Sequence, residues 1–151
     1  MAFKTIREIL DYAKTYHSQL GDYYGRLRDV ADKERLKILL DYMSRHEAHM
    51  QKYLADYEQE AAKKVLDTWL KYSPIKAEAH SLKDIALNPD MSIEEVIKMS
   101  MKLDACLVDI YKEMAQRSSS QECKDLFNDL LEMEKQEEIK CIRDTLLFDQ
   151  I

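Results

Sequence analysis

The sequence predicts an all-α protein: a four-helix bundle of two antiparallel helical hairpins joined by a long crossover. Three observations carry this. The 151 residues include only two glycines and two prolines, too few turn formers for a β-rich fold. Apolar residues recur in steps of three and four over long stretches, the period of a helix face packed against its neighbours. Third, the chain repeats itself after 87 residues, with Ile6/Ile93, Leu20/Leu107, Tyr24/Tyr111, Leu39/Leu126 and Glu47/Glu134 as identical pairs. The length suits one domain, 1–151, able to bury a sizeable core.

The first hairpin covers about 5–60. Helix one runs from about Thr5 to about Ala31, with Ile6, Leu10, Ala13, His17, Leu20, Tyr24 and Leu27 along one face. Thr5-x-x-Glu8 reads as a capping box at its start. Gly21 and Gly25 each cost a helix roughly 1 kcal/mol against alanine. Close approach of a neighbouring helix or a partner subunit would explain them, and so would a small kink. Asp32 is the expected cap of helix two, which runs to about Glu60 on the seam Leu36, Leu40, Met43, Glu47, Met50, Leu54, Tyr57.

The crossover, about 61–91, holds an apolar patch (Val65, Leu66, Trp69, Leu70, Tyr72), a break at Pro74 and a stop at Asn88-Pro89. One or two short helices are expected there, because long structureless loops are uncommon. A helix of 27 residues is roughly 40 Å long, and the crossover can return the chain over that distance. Trp69 and Tyr72 would cover the bundle or form a dimer contact. The second hairpin covers about 92–148. Ser92-x-x-Glu95 repeats the capping box, and helix three ends near Ser118 on the seam Ile93, Ile97, Ser100, Asp104, Leu107, Tyr111, Met114. After a turn at Ser118-Ser119-Ser120, helix four continues to about Phe148 with Cys123, Phe127, Leu130, Glu134, Glu137, Cys141 and Asp144 inward.

Polar residues interrupt these seams at matching heights. His17, Glu47, Asp104 and Glu134 each fall mid-helix, so they form one layer whichever way the helices run, with Met50 and Glu137 one turn away. No lysine or arginine shares the seams with them. Burying one unpaired carboxylate costs several kcal/mol. A metal cation, a protonated hydrogen-bonded network or a wet cavity would each relieve that cost. Oxygen donors suit Mn, Mg or Ca, and an added imidazole brings in Fe, Mn or Zn. His46-Glu47-Ala48-His49 lacks the i, i+4 histidines of a metalloprotease helix. His46 and His49 are read as solvent-facing or at a subunit contact, Glu132 and Glu138 as an exposed face, and His80 has no assigned role.

The net charge of −6 and pI near 5.3 argue against a nucleic-acid partner. No apolar run approaches a membrane span, and no signal-peptide pattern opens the chain. The odd set Cys106, Cys123 and Cys141, without a C-x-x-C pair, points to reduced thiols and a cytoplasmic setting.

This arrangement resembles the ferritin-like superfamily, most closely its rubrerythrin-like branch. The resemblance rests on the repeated hairpins, the crossover, and Glu47 and Glu134, which match the carboxylates that bridge two metal ions in that family. It implies a metal site of His17, Glu47, Asp104, Glu134 and Glu137, with Tyr24, Tyr111 and Met50 around it. His17 and Asp104 stand where the family has glutamates, and Met50 and Glu137 where it has the histidines of E-x-x-H. The resemblance implies one or two ions of iron or manganese, or zinc, or none if the site is degenerate. Iron would imply iron oxidation or O2 or peroxide chemistry, with electrons from a separate donor protein, since no rubredoxin-like cysteine module is present. A homodimer is expected. The alternative is a bundle without metal that acts as a structural or protein-interaction module.

Overall fold

The structure is a computed structural model, and it describes residues 3–71 and 86–149, with side chains to 147. Tyr72, Pro74 and His80 lie outside the described residues. Among the described residues, four long helices and one short one follow in order: α1 (Ile6–Val30), α2 (Glu34–Glu60), α3 (Lys63–Leu66), α4 (Ile93–Arg117) and α5 (Gln121–Asp149). Both expected N-caps form. The Thr5 side chain accepts from the Glu8 N–H and Ser92 from the Glu95 N–H, satisfying orphan donors of the first turn. Asp32 does not cap α2. Lys33 holds the cap position without a side-chain bond, while the Asp32 N–H donates to the Pro89 carbonyl at 3.1 Å.

Cross-helix contacts fix the directions. Arg28 meets Asp41 near the first turn, and Lys14 meets Glu58 far from it, so α1 and α2 are antiparallel. The Tyr16 hydroxyl donates to the Leu103 carbonyl, and Tyr23 reaches Met99, so α1 is also antiparallel to α4. Therefore α2 and α4 run parallel, and only a connection spanning the bundle can join them. Its two anchored ends show that span. Thr5 and Trp69 bridge at the start of α1, and the Leu70 N–H donates to the Lys4 carbonyl. At the other end, Pro89 binds Asp32 in the first turn. α3 is the short helix expected in the crossover. Trp69 itself is 71% exposed and does not cover the bundle.

The α1 seam buries throughout and that of α2 as far as Leu54, whereas Ile93, Ile97, Ser100 and Asp104 of α4 and Glu137, Cys141 and Asp144 of α5 are only half-buried. Ile6, Leu10, Leu20, Leu40, Leu54, Leu107, Phe127 and Leu130 all lie in the core. Gly21 marks a close approach of α2. A Cβ there would sit 3.4 Å from the Ser44 carbonyl oxygen and 3.5 Å from Glu47 Cβ. A methyl just fits, and anything longer would meet α2. The Ser44 hydroxyl clamps the same point, donating to the Gly21 carbonyl at 2.8 Å. This contact holds α2 near α1 one turn from His17 and beside Glu47.

A carboxylate–imidazole layer at mid-bundle

His17, Glu47 and Glu134 meet at the centre of the bundle, 2%, 4% and 5% exposed. They come from three helices. α1 supplies the histidine, α2 its antiparallel partner Glu47, and α5 supplies Glu134. His17 Nδ1 lies 2.5 Å from Glu47 Oε2, and Nε2 lies 2.8 Å from Glu134 Oε1. A neutral imidazole donates from one nitrogen only, and a carboxylate only accepts. Two such bonds therefore call for the imidazolium, donating to one carboxylate on each side. Burial alone would push the ring's pKa down. The hydrogen bonds to Glu134 and Glu47 outweigh it and hold the group up at about 10.

Asp104 completes the layer from α4. It is half-buried and shares a small cavity of about 10 Å³ with His46, Glu47, Ser100, Glu138 and Cys141. Burial pushes its carboxyl well above the usual range, and Glu47, Glu134 and Glu138 add to this against the opposing His17. Asp104 therefore favours its neutral form. The layer thus holds an imidazolium between two carboxylates, with an acid of raised pKa beside them. The Cys141 thiol at the cavity wall is pushed up to about 12, chiefly by burial. Cys106, Cys123 and Cys141 are all free, and Cys123 is buried as a small apolar side chain.

The other sequence candidates are placed differently. Met50 is core. Glu137 is half-buried and acts electrostatically on Tyr42 and His46 of α2. The Tyr24 and Tyr111 hydroxyls are fully buried and have no hydrogen-bond partner among the described residues. Asp104 and Glu47 act on Tyr24, and Glu134 acts on Tyr111, so both lie near the layer without bonding to it. His46 is half-buried and stacked on Tyr42, with ring centroids 6.5 Å apart. Glu138 is half-buried rather than exposed, and His49 is exposed. His46 and Glu138 sit one residue from a seam position, where a helix is half-covered by its neighbours, and that offset was their only sequence signal. Tyr42 donating to Asp144 at 2.9 Å had none, because it joins α2 to α5 across the sequence.

The layer as it stands does not fit a two-metal centre. A ligating imidazole gives one nitrogen lone pair to the metal, whereas here both ring nitrogens face carboxylates. The width of the ring also separates Glu47 from Glu134, which bridging would require together. Among the described residues, no group of three or more His, Cys, Asp or Glu side chains is arranged to hold a metal ion. No helix among them is long and apolar enough to cross a membrane.

No protein family and no curated protein matches this chain by sequence. Among solved structures, a crystallised protein of Thermotoga maritima, described as a ferritin-like diiron-carboxylate protein, is similar with a TM-score of 0.57. The match covers 93% of this chain and 94% of that one at 14% identity. It shows the fold, a ferritin-like four-helix bundle.

Proposed function

We propose that this ferritin-like bundle is metal-independent, with the His17 imidazolium standing where the fold's relatives would hold metal, and that it acts through association with other proteins. The observation that carries this reading is the engagement of both His17 nitrogens, one by Glu47 and one by Glu134. Each carboxylate bonds to the one imidazolium, which offsets one of their two charges without recruiting a cation from solvent. The layer's role is then to fix the register of the hairpins. Its bonds join α1 to α2 and α1 to α5, and a slip of one residue would break both. Buried polar groups serve such specificity in other helical assemblies.

A second reading, a divalent cation taken up by Glu47, Asp104 and Glu134 as His17 withdraws, is favoured by one feature. The orphan Tyr24 and Tyr111 hydroxyls lie near those carboxylates, where rotated carboxylates would accept from them. The metal would be iron, manganese or zinc, and iron would open O2 or peroxide chemistry.

Elemental mass spectrometry of protein purified without added metal separates the two. Metal independence predicts no stoichiometric metal and the same melting temperature in chelator or with added Fe(II), Mn(II) or Zn(II). One or two equivalents of metal, lost in Glu134→Ala, would overturn it in favour of the second reading.

A further inference from the structure

The side of α2 opposite its seam carries one continuous stripe. Arg35, Ile38, Tyr42, Arg45, His49 and Lys52 step by three and four, so they share one helix face. All are exposed except the half-buried Tyr42. Lys33, Arg35, Lys37, Arg45 and Lys52 stand in this part of the chain against Glu34, Asp41 and the buried Glu47. That makes a cationic face on a chain of net charge −6. Its nearest acids are already engaged. Asp41 meets Arg28 at 2.6 Å and Arg45 at 3.1 Å. Asp144 of α5 accepts from Tyr42, with Arg143 3.7 Å away. Beside the stripe, between α2 and α5, lies a largely apolar groove of about 170 Å³. Ile38, Leu39, Tyr42 and Arg45 line it from α2, and Asp144 and Thr145 from α5. Leu39 and Thr145 are buried, whereas Ile38 is 52% exposed. An apolar void of about 150 Å³ takes up a benzene ring, so this groove is sized for one large apolar side chain.

We infer that this groove and stripe form the docking site for an acidic amphipathic helix of another protein. The inference rests on the reading that the bundle acts by association, and it names the class of partner. The occupant lies along α2 with one leucine or phenylalanine side chain in the groove, and its carboxylates meet Arg35, Arg45 and Lys52. Those cations span about 25 Å of α2, which a partner helix of about 17 residues matches. Helices dock in grooves through apolar anchors at helical spacing, and complementary charge guides their approach and excludes wrong partners. Arg45 meets Asp41 through Nε, which leaves its two terminal nitrogens for a carboxylate of the partner. Asp56 is the next residue of the stripe and is exposed, so the cationic face ends at Lys52. A nucleic acid fits less well, because the net charge of −6 repels a polyanion and the groove offers an apolar surface to its phosphates.

Fluorescence anisotropy of the full chain with a labelled synthetic peptide tests it. The probe is an alanine-based helix of about 17 residues bearing leucines and glutamates, and its counterpart carries lysine for each glutamate. The acidic peptide should bind, more weakly as salt is added, and the lysine peptide should not. Arg45→Glu should weaken binding about tenfold. Ile38→Lys should weaken it by a similar factor although it adds a positive charge, whereas adsorption to a basic surface alone would tighten. Both positions are exposed, so thermal melts should not change. Lys98→Glu, at an exposed site on α4, should bind as wild type does. No binding, equal binding of the lysine peptide, or tighter binding by Ile38→Lys overturns the inference. A single-stranded oligonucleotide that displaces the peptide would assign the stripe to nucleic acid instead. Self-association of the chain that Ile38→Lys abolishes would assign the groove to a second copy, and either result overturns the inference. Metal content of the same sample tests the association reading separately, since a metal-free chain that fails to bind the peptide refutes this docking site alone.

Discussion

Replacing His17 by leucine removes the only cationic group between Glu47 and Glu134 while keeping most of the side-chain volume. Both carboxylates remain about 95% buried, with the acid Asp104 as their neighbour. The cost is bounded from above. A glutamate of ordinary pKa near 4.3 takes up a proton at pH 7 for about 4 kcal/mol, from 2.7 units at 1.36 kcal/mol each, so about 7 kcal/mol for the pair. Partial relaxation and water entry lower the total, and breaking a buried pair by removing one partner typically costs about 3–5 kcal/mol. In a chain of this size, each kcal/mol moves the melting temperature by roughly 2–4 °C. His17→Leu should therefore melt roughly 6–20 °C below wild type at pH 7. Calorimetry or circular dichroism in chelator measures this directly. Adding Glu47→Leu and Glu134→Leu should recover at least half of the loss, because a buried ionic set replaced whole by apolar side chains is often neutral or stabilising. A single variant melting within about 2 °C of wild type would refute the reasoning, and a triple variant no better than the single would show that the loss came from packing.

Two further predictions follow from the same layer. The folded-state pKa of His17 is raised from 6.5 to about 10, so its stabilising effect is complete below pH 6.5 and is lost as pH rises through about 10. The raised carboxyl of Asp104 acts in the same direction, since its proton too is held more tightly in the folded state. Unfolding free energies from urea titrations should fall between pH 7 and pH 10, by at most about 4 kcal/mol for His17, and flatten in His17→Leu. A midpoint constant over that range would contradict the imidazolium. The orphan hydroxyls of Tyr24 and Tyr111 should be dispensable. Each Tyr→Phe change should leave stability equal or raise it by about 1 kcal/mol, whereas a lowered melting temperature would mean that the hydroxyls serve the carboxylates.

The sequence alone determined the helices and the inward faces of α1 and α2, because helix period and capping are local. Thr5 and Ser92 cap where their spacing to Glu8 and Glu95 said they would. The repeat also placed His17, Glu47, Asp104 and Glu134 at one level, since equal distance from a turn gives equal height in a hairpin. Local signals gave Asp32 as a cap, but its N–H went to Pro89, a partner set by the return of the crossover. Only the tertiary structure decided how the layer is wired. Which groups bond depends on side-chain direction across helices far apart in sequence, and on how closely Gly21 lets α2 approach. That geometry put the imidazole between the two glutamates and left the Tyr24 and Tyr111 hydroxyls without partners among the described residues. Burial then set the protonation, because a desolvated carboxylate must find a cation or keep its proton. Composition and spacing identified the residues of the layer, and the fold determined which one serves as its cation.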